Sequence, residues 1–506
     1  MIHGDILGER ARLIPEAEAL LEVKSGRRFS YGELNRRALK WAGILHALGL
    51  SKGDRLALLS GNRVEFIDVF FGAIKAGIIL VPLNTHLAAF ELEEIIRDAG
   101  PCALIYDGQF NGVICALHQR VPVENWIALD SIAVPGDRTA EALLNSVDSP
   151  IPFQKNLPDE LCALLYTSGT TGSPKGVMIP HRMLAWNGYN TVVNWQLRSD
   201  DVSPIFTPLY HAGGLGAFLI PLFTVGGRIV LHSAFDSEEV WNIVEKEGCT
   251  VILGVPAIWK MLAKSPALKK IDVSHVRWLI SGGAPLPPSL VETYRRHGLV
   301  LRQGYGLTEV GVNCFAMTDK DAWERPGSIG KPLMFTQARL VDDSGNDVER
   351  GEVGELLLKG PHVSSGYWHN PDETALSYDP EGFFHTGDLA REDEDGFFYI
   401  SGRRKEMFIS GGVNIYPAEI EALLSRHPAI SDCAVVGVPH EKWGEVGAAF
   451  LVLAENMEIK PDEVIKWLEK RIARYKVPKH IVVLDKLPRT AYGKVLRAAL
   501  VERFSK

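Results

Sequence analysis

A loop rich in glycine and hydroxyl side chains follows an apolar stretch near residue 165. Residues 166–176 read YTSGTTGSPKG and come directly after the apolar run LCALL at residues 161–165. Glycines let backbone N–H groups close around an anion, hydroxyls add hydrogen-bond donors, and Lys175 adds positive charge. This combination of residue types predicts a loop that binds the phosphates of a nucleotide.

Two better-known catalytic patterns do not account for this sequence. A P-loop requires G-x-x-x-x-G-K-[ST] before a helix, whereas Lys175 follows Pro174 and the next residues, GVMI at 176–179, predict a strand. The pattern G-x-S-x-G occurs at residues 49–53, but it follows a predicted helix and precedes a predicted strand. Hydrolases place that serine between a strand and a helix. The residues therefore favour neither a P-loop NTPase nor a serine hydrolase.

Four further polar motifs follow the loop. They are QGYGLTE at residues 303–309, TGD at 386–388, GRRKEMFISGG at 402–412 and PRTAYGKVLR at 488–497. In this order, and together with the loop at 166–176, they resemble the signature motifs of the adenylate-forming superfamily. That superfamily includes acyl-CoA synthetases, aryl-CoA ligases, firefly-type luciferases and the adenylation domains of peptide synthetases. The resemblance extends over residues 31–497, nearly the whole chain.

The resemblance implies a reaction in two steps. A carboxylate attacks the α-phosphorus of ATP, which releases pyrophosphate and leaves an acyl-adenylate; the thiol of CoA then forms acyl-CoA and releases AMP. Both reactants of the first step are anions, so the site must neutralise charge with Mg²⁺, hydroxyl donors and lysines. The expected cofactors are therefore ATP, Mg²⁺ and CoA.

The resemblance also implies roles for single residues at the nucleotide. Glu309 is expected to bind Mg²⁺, Thr308 to contact phosphate oxygens, and Asp388 to accept hydrogen bonds from the ribose hydroxyls with help from Arg403. Outside their motifs, Glu309 would suit a solvated surface acid, and Asp388 would suit an N-cap or turn aspartate. The predicted catalytic residues are Lys494, Thr308, Glu309 and His211. The predicted ATP- and AMP-binding residues are Thr167, Ser168, Gly169, Thr170, Thr171, Gly172, Lys175, Gly283, Ala284, Gly304, Tyr305, Gly306, Thr308, Asp388, Arg403 and Lys494.

The end of the chain resembles the mobile cap of these enzymes. Lys494 matches the lysine that bridges the carboxylate and the α-phosphate during adenylation, although it could also be one more lysine of a basic tail. Lys405 matches the hinge about which the cap rotates before thioester formation. The predicted CoA-binding residues are Ser410, Gly411, Gly412, Trp443 and Arg474. For Arg474, an ion pair with a carboxylate on a helix is the competing interpretation.

The predicted acyl pocket combines small and apolar residues. It consists of His211, Gly213, Gly214, Gly216, Val310, Gly311 and Val312. His211 matches a gate between ATP and the acid rather than a general base, because a substrate carboxylate is already deprotonated. The apolar members lack a cation for a second carboxylate, which predicts a monocarboxylic acid. The motifs look most like those of medium- or long-chain fatty-acyl-CoA synthetases. Aryl-carboxylate ligases of the benzoate or coumarate type are the alternative. A non-catalytic protein that binds acyl groups or AMP is a third, less favoured interpretation.

The hydrophobic pattern predicts the elements that position these residues. Apolar runs alternate with helical stretches over residues 31–84 and again over residues 229–253, which indicates βαβ units with mostly parallel strands. Residues 403–506 predict a small α+β domain. The fold class is therefore α/β and α+β, with a large N-terminal domain of βαβ subdomains and a β-barrel-like part. The predicted domains are residues 1–402 for ATP and acid, and the mobile residues 403–506 with the hinge near Lys405.

Composition and charge agree with a soluble enzyme. The 506 residues are 46% hydrophobic and 23% charged, which is typical of globular proteins. The net charge of −8 disfavours a nucleic-acid partner. Residues 403–506 hold 18 Lys and Arg against 13 Asp and Glu, a balance of +5 that leaves −13 on the rest. The basic end suits a partner with several phosphates such as CoA, or it reflects compositional drift.

The cysteines and the first 20 residues indicate in which cellular compartment the protein is expected. The six cysteines contain no C-x-x-C pair, which fits a reducing cytoplasm. The first 20 residues carry four acidic side chains and do not form a secretory signal, and no stretch is long and apolar enough to cross a membrane. We therefore expect a cytoplasmic protein; peripheral membrane contact and a monomeric or homodimeric state stay open.

Overall fold

The structure of the protein is a computed structural model that describes residues 5–146, 155–168, 174–410, 413–489 and 495–505. Several residues with a predicted function lie outside these ranges. They are Gly169, Thr170, Thr171 and Gly172 of the phosphate loop, Gly411 and Gly412 of the predicted CoA channel, and Lys494.

Capping residues mark the ends of several helices. Ser30 and Glu33 form a reciprocal capping box at the start of the second helix, and Gly77 ends the third in a left-handed conformation. The helices are α1 Ile6–Leu13, α2 Tyr31–Ala47, α3 Val64–Ala76, α4 Ala89–Ala99, α5 Asn111–His118, α6 Ala140–Ser146, α7 His181–Trp195, α8 Ala212–Gly214, α9 Ile220–Val225, α10 Ser237–Glu247, α11 Pro256–Lys264, α12 Pro288–Arg296, α13 Asp319–Glu324, α14 Pro371–Leu376, α15 Pro417–Leu424, α16 Pro461–Glu469 and α17 Arg497–Ser505.

Shorter helical turns also occur: three 3₁₀ turns in the described residues, at Gly108–Phe110, Pro266–Lys269 and Arg474–Lys476, and a π-helical turn at Leu215–Leu219. The strands are β1 Glu18–Glu22, β2 Arg28–Ser30, β3 Arg55–Leu59, β4 Ile79–Pro82, β5 Ala103–Tyr106, β6 Asn125–Ala128, β7 Arg138–Thr139, β8 Leu161–Ser168, β9 Pro174–Pro180, β10 Val202–Ile205, β11 Arg228–Leu231, β12 Val251–Gly254, β13 Trp278–Ser281, β14 Leu301–Gln303, β15 Phe315–Ala316, β16 Lys331–Pro332, β17 Gln337–Val341, β18 Val353–Lys359, β19 Phe384–Glu392, β20 Phe398–Arg403, β21 Phe408–Ser410, β22 Val413–Ile415, β23 Ile430–His440, β24 Gly444–Leu453 and β25 His480–Val483.

Parallel sheets dominate the first 300 residues. One sheet has the order β7-β6-β5-β3-β4-β8-β9 and is parallel except for the β8–β9 hairpin. A second sheet, β10-β11-β1-β2, and a third, β12-β13-β14, are built mainly from parallel pairs. The strands β4 and β5 are buried along their whole length, as parallel strands covered on both faces are. The predicted βαβ organisation is confirmed.

The main core lies where α2 and α3 pack against this framework. Every residue of α3 is buried except Glu65. The two helices approach closely at Gly72, where a Cβ atom would come within 2.7 Å of the Cβ of Trp41. A buried ion pair of 2.7 Å between Lys75 and Asp5 ties α1 to α3.

Antiparallel sheets build the rest of the chain. The strands β17, β18, β19 and β20 form a meander. Beyond it, β22-β21-β24-β23 form a sheet to which β25 adds in parallel beside β24, and α15, α16 and α17 pack on that sheet. This is the predicted α+β region. Its boundary at residues 402 and 403 stays a prediction. Across the described residues, no helix is both long and apolar enough to span a bilayer.

Candidate nucleotide and acyl site

The predicted phosphate loop connects the two strands of a hairpin. The strands β8 and β9 pair antiparallel, with Thr167 opposite Lys175 and Tyr166 opposite Gly176. The strand predicted at residues 176–179 is confirmed as part of β9. The hairpin therefore holds Thr167 and Lys175 at the two ends of the glycine-rich connection.

Tyr367 joins two predicted motifs that are far apart in the chain. Its hydroxyl donates a hydrogen bond of 3.2 Å to Glu309 Oε1, and its ring lies 5.5 Å from Lys175 Nζ. Burial and the Glu309 carboxylate raise the pKa of Tyr367 above its usual value, so the phenol stays a donor at neutral pH. Lys175 also pairs with Glu373 at 2.5 Å. The lysine of the phosphate loop and the predicted metal ligand thus contact the same side chain.

Backbone hydrogen bonds hold the segment around Tyr367 in place. The amide of Trp368 donates to the carbonyl of Gly176 at 2.8 Å, and the amide of Met178 donates to Gly366 at 2.9 Å. The amide of Ser364 donates to the carbonyl of Glu309 at 2.8 Å. The segment of residues 364–368 is therefore held against both β9 and the loop that carries Thr308 and Glu309.

The donor set around Glu309 fits Mg²⁺. Glu309 is half-buried, and a carboxylate oxygen beside the Thr308 hydroxyl is a hard ligand of the type that this ion prefers. Among the described residues, no three His, Cys, Asp or Glu side chains converge to make a complete protein cage. Magnesium is usually held by one or two carboxylates together with substrate phosphates, and Glu309 is the carboxylate that would take part in such an arrangement.

Asp388, Arg403 and Tyr305 form a second polar cluster. Asp388 on β19 pairs in register with Arg403 on β20, and Arg403 Nε lies 2.6 Å from Asp388 Oδ1. The hydroxyl of Tyr305 donates to Asp388 Oδ2 at 2.5 Å. Burial and this carboxylate raise the pKa of Tyr305 well above its usual value. The structure therefore brings together three of the predicted ATP- and AMP-binding residues, including the two for which a ribose contact was predicted.

Four glycine and alanine residues of the predicted ATP- and AMP-binding set, Gly283, Ala284, Gly304 and Gly306, lie around the ends of two neighbouring strands. The strands β13 and β14 are parallel neighbours, and the amide of Gly304 donates to the carbonyl of Ser281 at 2.7 Å. Gln303 accepts from the amide of Leu286 at 2.8 Å and so holds the intervening turn beside β14. Gly283 and Ala284 belong to that turn, and Gly283 needs its left-handed φ of +78° there. Gly306 has backbone of Gly311 and Val312 within 2.4 Å of where a Cβ would be.

An apolar cavity lies beside Thr308, between β8, β9, α3 and α7. Most of its walls are aliphatic or aromatic, and Asn187 and Thr308 are the lining residues with oxygen or nitrogen in their side chains. Its apolar walls include Phe70, Ala163, Leu165, Ile179, Met183, Leu184, Ala212, Leu215 and Val312. No Lys, Arg or His is among the described residues that line it.

The predicted acyl residues divide into two groups. Gly216, Gly311 and Val312 line the cavity, whereas His211, Gly213, Gly214 and Val310 are not among its lining residues. Gly214 instead packs on backbone, with the carbonyl oxygen of Pro208 only 2.1 Å from where a Cβ would be. Val310 is fully buried with Phe315 and Phe384 in the core of the antiparallel meander.

His211, the predicted CoA-binding residues and the predicted hinge residue lie on different elements of the fold. His211 is exposed at the start of α8, where it accepts a hydrogen bond of 3.5 Å from the amide of Gly213. Ser410 on β21 pairs with Gly444 on β24, so Ser410 and Trp443 lie at neighbouring positions, and Trp443 is 42% exposed. Arg474 is exposed on a 3₁₀ turn, and Lys405 lies in the turn after β20.

The fold and these clusters define an adenylate-forming enzyme, as the sequence motifs predicted. The chain belongs to the AMP-binding enzyme family: it matches that family over residues 7–368 and the AMP-binding enzyme C-terminal domain over residues 419–494. It is thus an ATP-dependent acid–CoA ligase by class, and Mg²⁺ is typical of the family.

Relatives cover the full length of the chain. Feruloyl-CoA synthase of Amycolatopsis is 40% identical over 499 residues, which are 98% of this chain and 97% of that protein. The long-chain-fatty-acid–CoA ligase FadD13 of Mycobacterium tuberculosis is 35% identical over 508 residues, which are 99% and 98% of the two chains. The crystal structure of ATP-bound MatB from Rhodopseudomonas palustris has a TM-score of 0.92 at 31% identity and covers 100% of this chain and 99% of its own.

Sequence reasoning missed Tyr367 and Asn187. Tyr367 lies in SSGYW at residues 364–368, where two serines and a glycine before two aromatic residues are the local signal of a tight, partly buried segment. Asn187 lies in the middle of α7 among apolar and aromatic residues, and a buried amide in such a helix needs a partner. Neither signal identifies what the side chain contacts.

Proposed function

We propose that this protein joins a monocarboxylic acid with an uncharged, mainly apolar remainder to CoA through an acyl-adenylate. The observation that carries the proposal is the apolar cavity beside Thr308, which has no cationic side chain among its described lining residues. A second carboxylate would enter that cavity without a partner, and burying an unpaired charge is prohibitively costly. Acids with one carboxylate and an apolar remainder are therefore the substrates that fit.

The first half-reaction brings together two anions. Lys175 and the hydroxyls of Thr167 and Thr308 are proposed to contact the phosphates of ATP, and Glu309 is proposed to hold Mg²⁺ with phosphate oxygens. When bound, the ion supplies positive charge at the phosphates. Tyr367 keeps Glu309 and Lys175 in place through its hydroxyl and its ring. These side chains lower the repulsion that the substrate carboxylate meets at the α-phosphorus.

The Asp388 cluster is proposed to orient the nucleotide. Tyr305 donates to one carboxylate oxygen of Asp388, and Arg403 lies within ion-pair distance of the other. These two contacts hold the carboxylate in the orientation in which it is proposed to accept hydrogen bonds from the ribose hydroxyls. Gly304 and Gly283 leave room for the adenine ring beside Tyr305.

The mobile cap is proposed to supply Lys494 in the first step and a CoA channel in the second. Lys494 would balance charge between the carboxylate and the α-phosphate, after which rotation about Lys405 replaces it with the face that includes Ser410. Trp443 and Arg474 are the proposed contacts for the nucleotide end of CoA. The +5 balance of residues 403–506 suits that polyanion.

Two classes of acid suit this cavity. FadD13, 35% identical, is a long-chain-fatty-acid ligase, which favours an alkyl acid. Feruloyl-CoA synthase, 40% identical over a similar length, favours an aromatic acid. The preference for fatty acids that the motifs suggested therefore has no advantage over the aryl alternative, and the apolar lining of the cavity does not distinguish between the two.

Pyrophosphate release across a panel of acids tests the proposal. We expect AMP and pyrophosphate with at least one of octanoate, palmitate, benzoate and cinnamate, and a kcat/KM at least 100-fold lower for malonate and succinylbenzoate. Glu309→Gln, assayed in parallel, is expected to lose the signal. A preference for a dicarboxylate would contradict the uncharged pocket, and formation of ADP in place of AMP would contradict the adenylate.

A further inference from the structure

Asn187 places a polar group inside the apolar cavity. The residue lies on α7, is 4% exposed and is one of the side chains that line the cavity. Its Nδ2 donates a hydrogen bond of 2.6 Å to the carbonyl of Gly216, whereas its Oδ1 is buried and has no hydrogen-bond partner among the described residues. A buried acceptor without a partner is costly and needs an explanation.

The bond to Gly216 determines which way the amide points. Gly216 belongs to the π-helical turn Leu215–Leu219, and its carbonyl oxygen can only accept. If the amide were turned over, Oδ1 would face that oxygen at 2.6 Å, and two acceptors would oppose each other. The Nδ2 half of Asn187 therefore has a structural role, because it satisfies a carbonyl of the π-helical turn. The Oδ1 half has none.

The space at Oδ1 is kept open by a glycine. Gly311 lines the same cavity, and a Cβ atom at this position would lie 3.1 Å from Asn187 Oδ1. Gly311 has a φ of +85°, a conformation that favours glycine. Among the described residues that line the cavity, Asn187 is the one with a buried side-chain atom that has no hydrogen-bond partner. The Oδ1 atom of Asn187 therefore belongs to the cavity in which the acid is proposed to bind, rather than to the packed core.

We propose that Asn187 Oδ1 accepts a hydrogen bond from a hydroxyl group on the acid, so that the enzyme prefers hydroxylated aromatic acids to plain hydrocarbon acids. The inference rests on the proposed function. A site that is built to hydrogen-bond a hydroxyl rejects the analogue without it, because its buried acceptor then stays unpaired. A hydroxyl on a ring is held at a constant position and loses less conformational entropy on binding than one on a flexible chain.

The test compares acids that differ by one hydroxyl. We expect at least one of 2-, 3- and 4-hydroxycinnamate to have a kcat/KM at least tenfold above that of cinnamate in pyrophosphate release. In Asn187→Leu this ratio is expected to fall towards one, because the variant loses the acceptor.

Asn313→Leu is the matched control. Asn313 Nδ2 donates to the carbonyl of Ala217 in the same π-helical turn at 3.1 Å, but Asn313 does not line the cavity. Loss of support for the turn should lower kcat/KM for all four acids equally and leave the ratio unchanged. An Asn187→Leu ratio equal to that of the wild type would overturn the inference.

The wild-type protein keeps the inference testable if the leucine variant does not fold. Turnover of octanoate or cinnamate with no preference for any hydroxycinnamate overturns the inference and leaves the proposed function standing. Absence of pyrophosphate release with every acid, octanoate included, overturns the proposed function and the inference with it.

Discussion

The hydroxyl of Tyr305 donates a hydrogen bond of 2.5 Å to Asp388, and this contact joins the loop of residues 303–309 to the antiparallel meander. Arg403 occupies the other carboxylate oxygen at 2.6 Å. Asp388 is 4% exposed, so hydrogen-bond donors such as these two stabilise its buried charge. The orientation of the carboxylate is therefore set before any nucleotide binds.

Tyr305→Phe is expected to weaken ATP binding. Loss of this donor leaves Asp388 less firmly oriented for the ribose, and a loss of about 1.4 kcal/mol in ATP binding corresponds to a rise of about tenfold in the KM for ATP. The KM for the acid should change little. Steady-state kinetics of pyrophosphate release measure both constants.

Tyr399→Phe is the control for this change. The hydroxyl of Tyr399 also donates to an aspartate, Asp393, at 3.2 Å, but this pair lies at the turn between β19 and β20. Its loss should leave the KM for ATP unchanged. If Tyr305→Phe lowers the melting temperature and leaves that KM unchanged as well, the contact is structural only.

Glu309→Gln is expected to lower the rate of adenylation by about 100-fold or more, because a charge that acts on the transition state is removed. Glutamine keeps the size of the side chain and an acceptor for Tyr367, so the fold should persist. The Mg²⁺ concentration for half-maximal rate should rise. Glu324→Gln, an exposed carboxylate on α13, should change neither value; equal behaviour of the two variants would remove Glu309 from the site.

Lys494→Ala is expected to abolish adenylation and to spare thioester formation from supplied acyl-adenylate. The reason is that its charge is needed only while carboxylate and ATP meet. Single-turnover assays of each half-reaction separate the two effects. Lys486→Ala changes an exposed lysine of the same basic tail and should leave both rates intact. Parallel loss of both half-reactions in Lys494→Ala would argue against two active arrangements of the cap.

Lys405→Pro is expected to have the opposite effect. Proline restricts its own φ and the backbone of Arg404, so rotation of the cap about this turn should be blocked. Adenylation should continue while thioester formation stops, as measured by acyl-AMP accumulation. Lys405→Ala keeps the backbone free and should perform both steps; a normal rate of thioester formation in the proline variant would place the hinge elsewhere.

His362 is expected to make the fold sensitive to acid. Its Nδ1 donates to the carbonyl of Val310 at 2.5 Å, so the neutral ring must accept the Thr336 hydroxyl at Nε2, 2.8 Å away. Burial lowers the pKa of His362 below its usual value of 6.5. The folded state therefore stays neutral where the unfolded chain already binds a proton. The stability that His362 contributes is present above about pH 6.5 and is lost as pH falls through the lowered pKa.

Thermal unfolding between pH 7.5 and 5 measures this dependence. In His362→Gln the melting temperature should fall less steeply with acid than in the wild type, even though the variant starts lower. His86→Gln, on an exposed histidine, should keep the wild-type slope. Identical slopes in all three proteins would mean that His362 titrates normally.

Several elements followed directly from local pattern. The strand predicted at residues 176–179, the βαβ alternation after residue 31 and the α+β character of residues 403–506 all occur. The hairpin of β21 and β22 was not predicted, because it is short and its pairing with β24 depends on a partner more than 30 residues away.

The sequence by itself determined the chemistry. The residues proposed to contact the nucleotide lie in short motifs, and glycines, hydroxyls and charges within a few residues of one another are enough to specify a phosphate or a diol. Which of the predicted pocket residues line the apolar cavity beside Thr308, and which other residues join them, was decided only by the tertiary structure. Asn187 reaches the cavity from α7, and Tyr367 reaches Glu309 and Lys175, because the packing of helices, strands and loops brings together side chains that no local spacing relates.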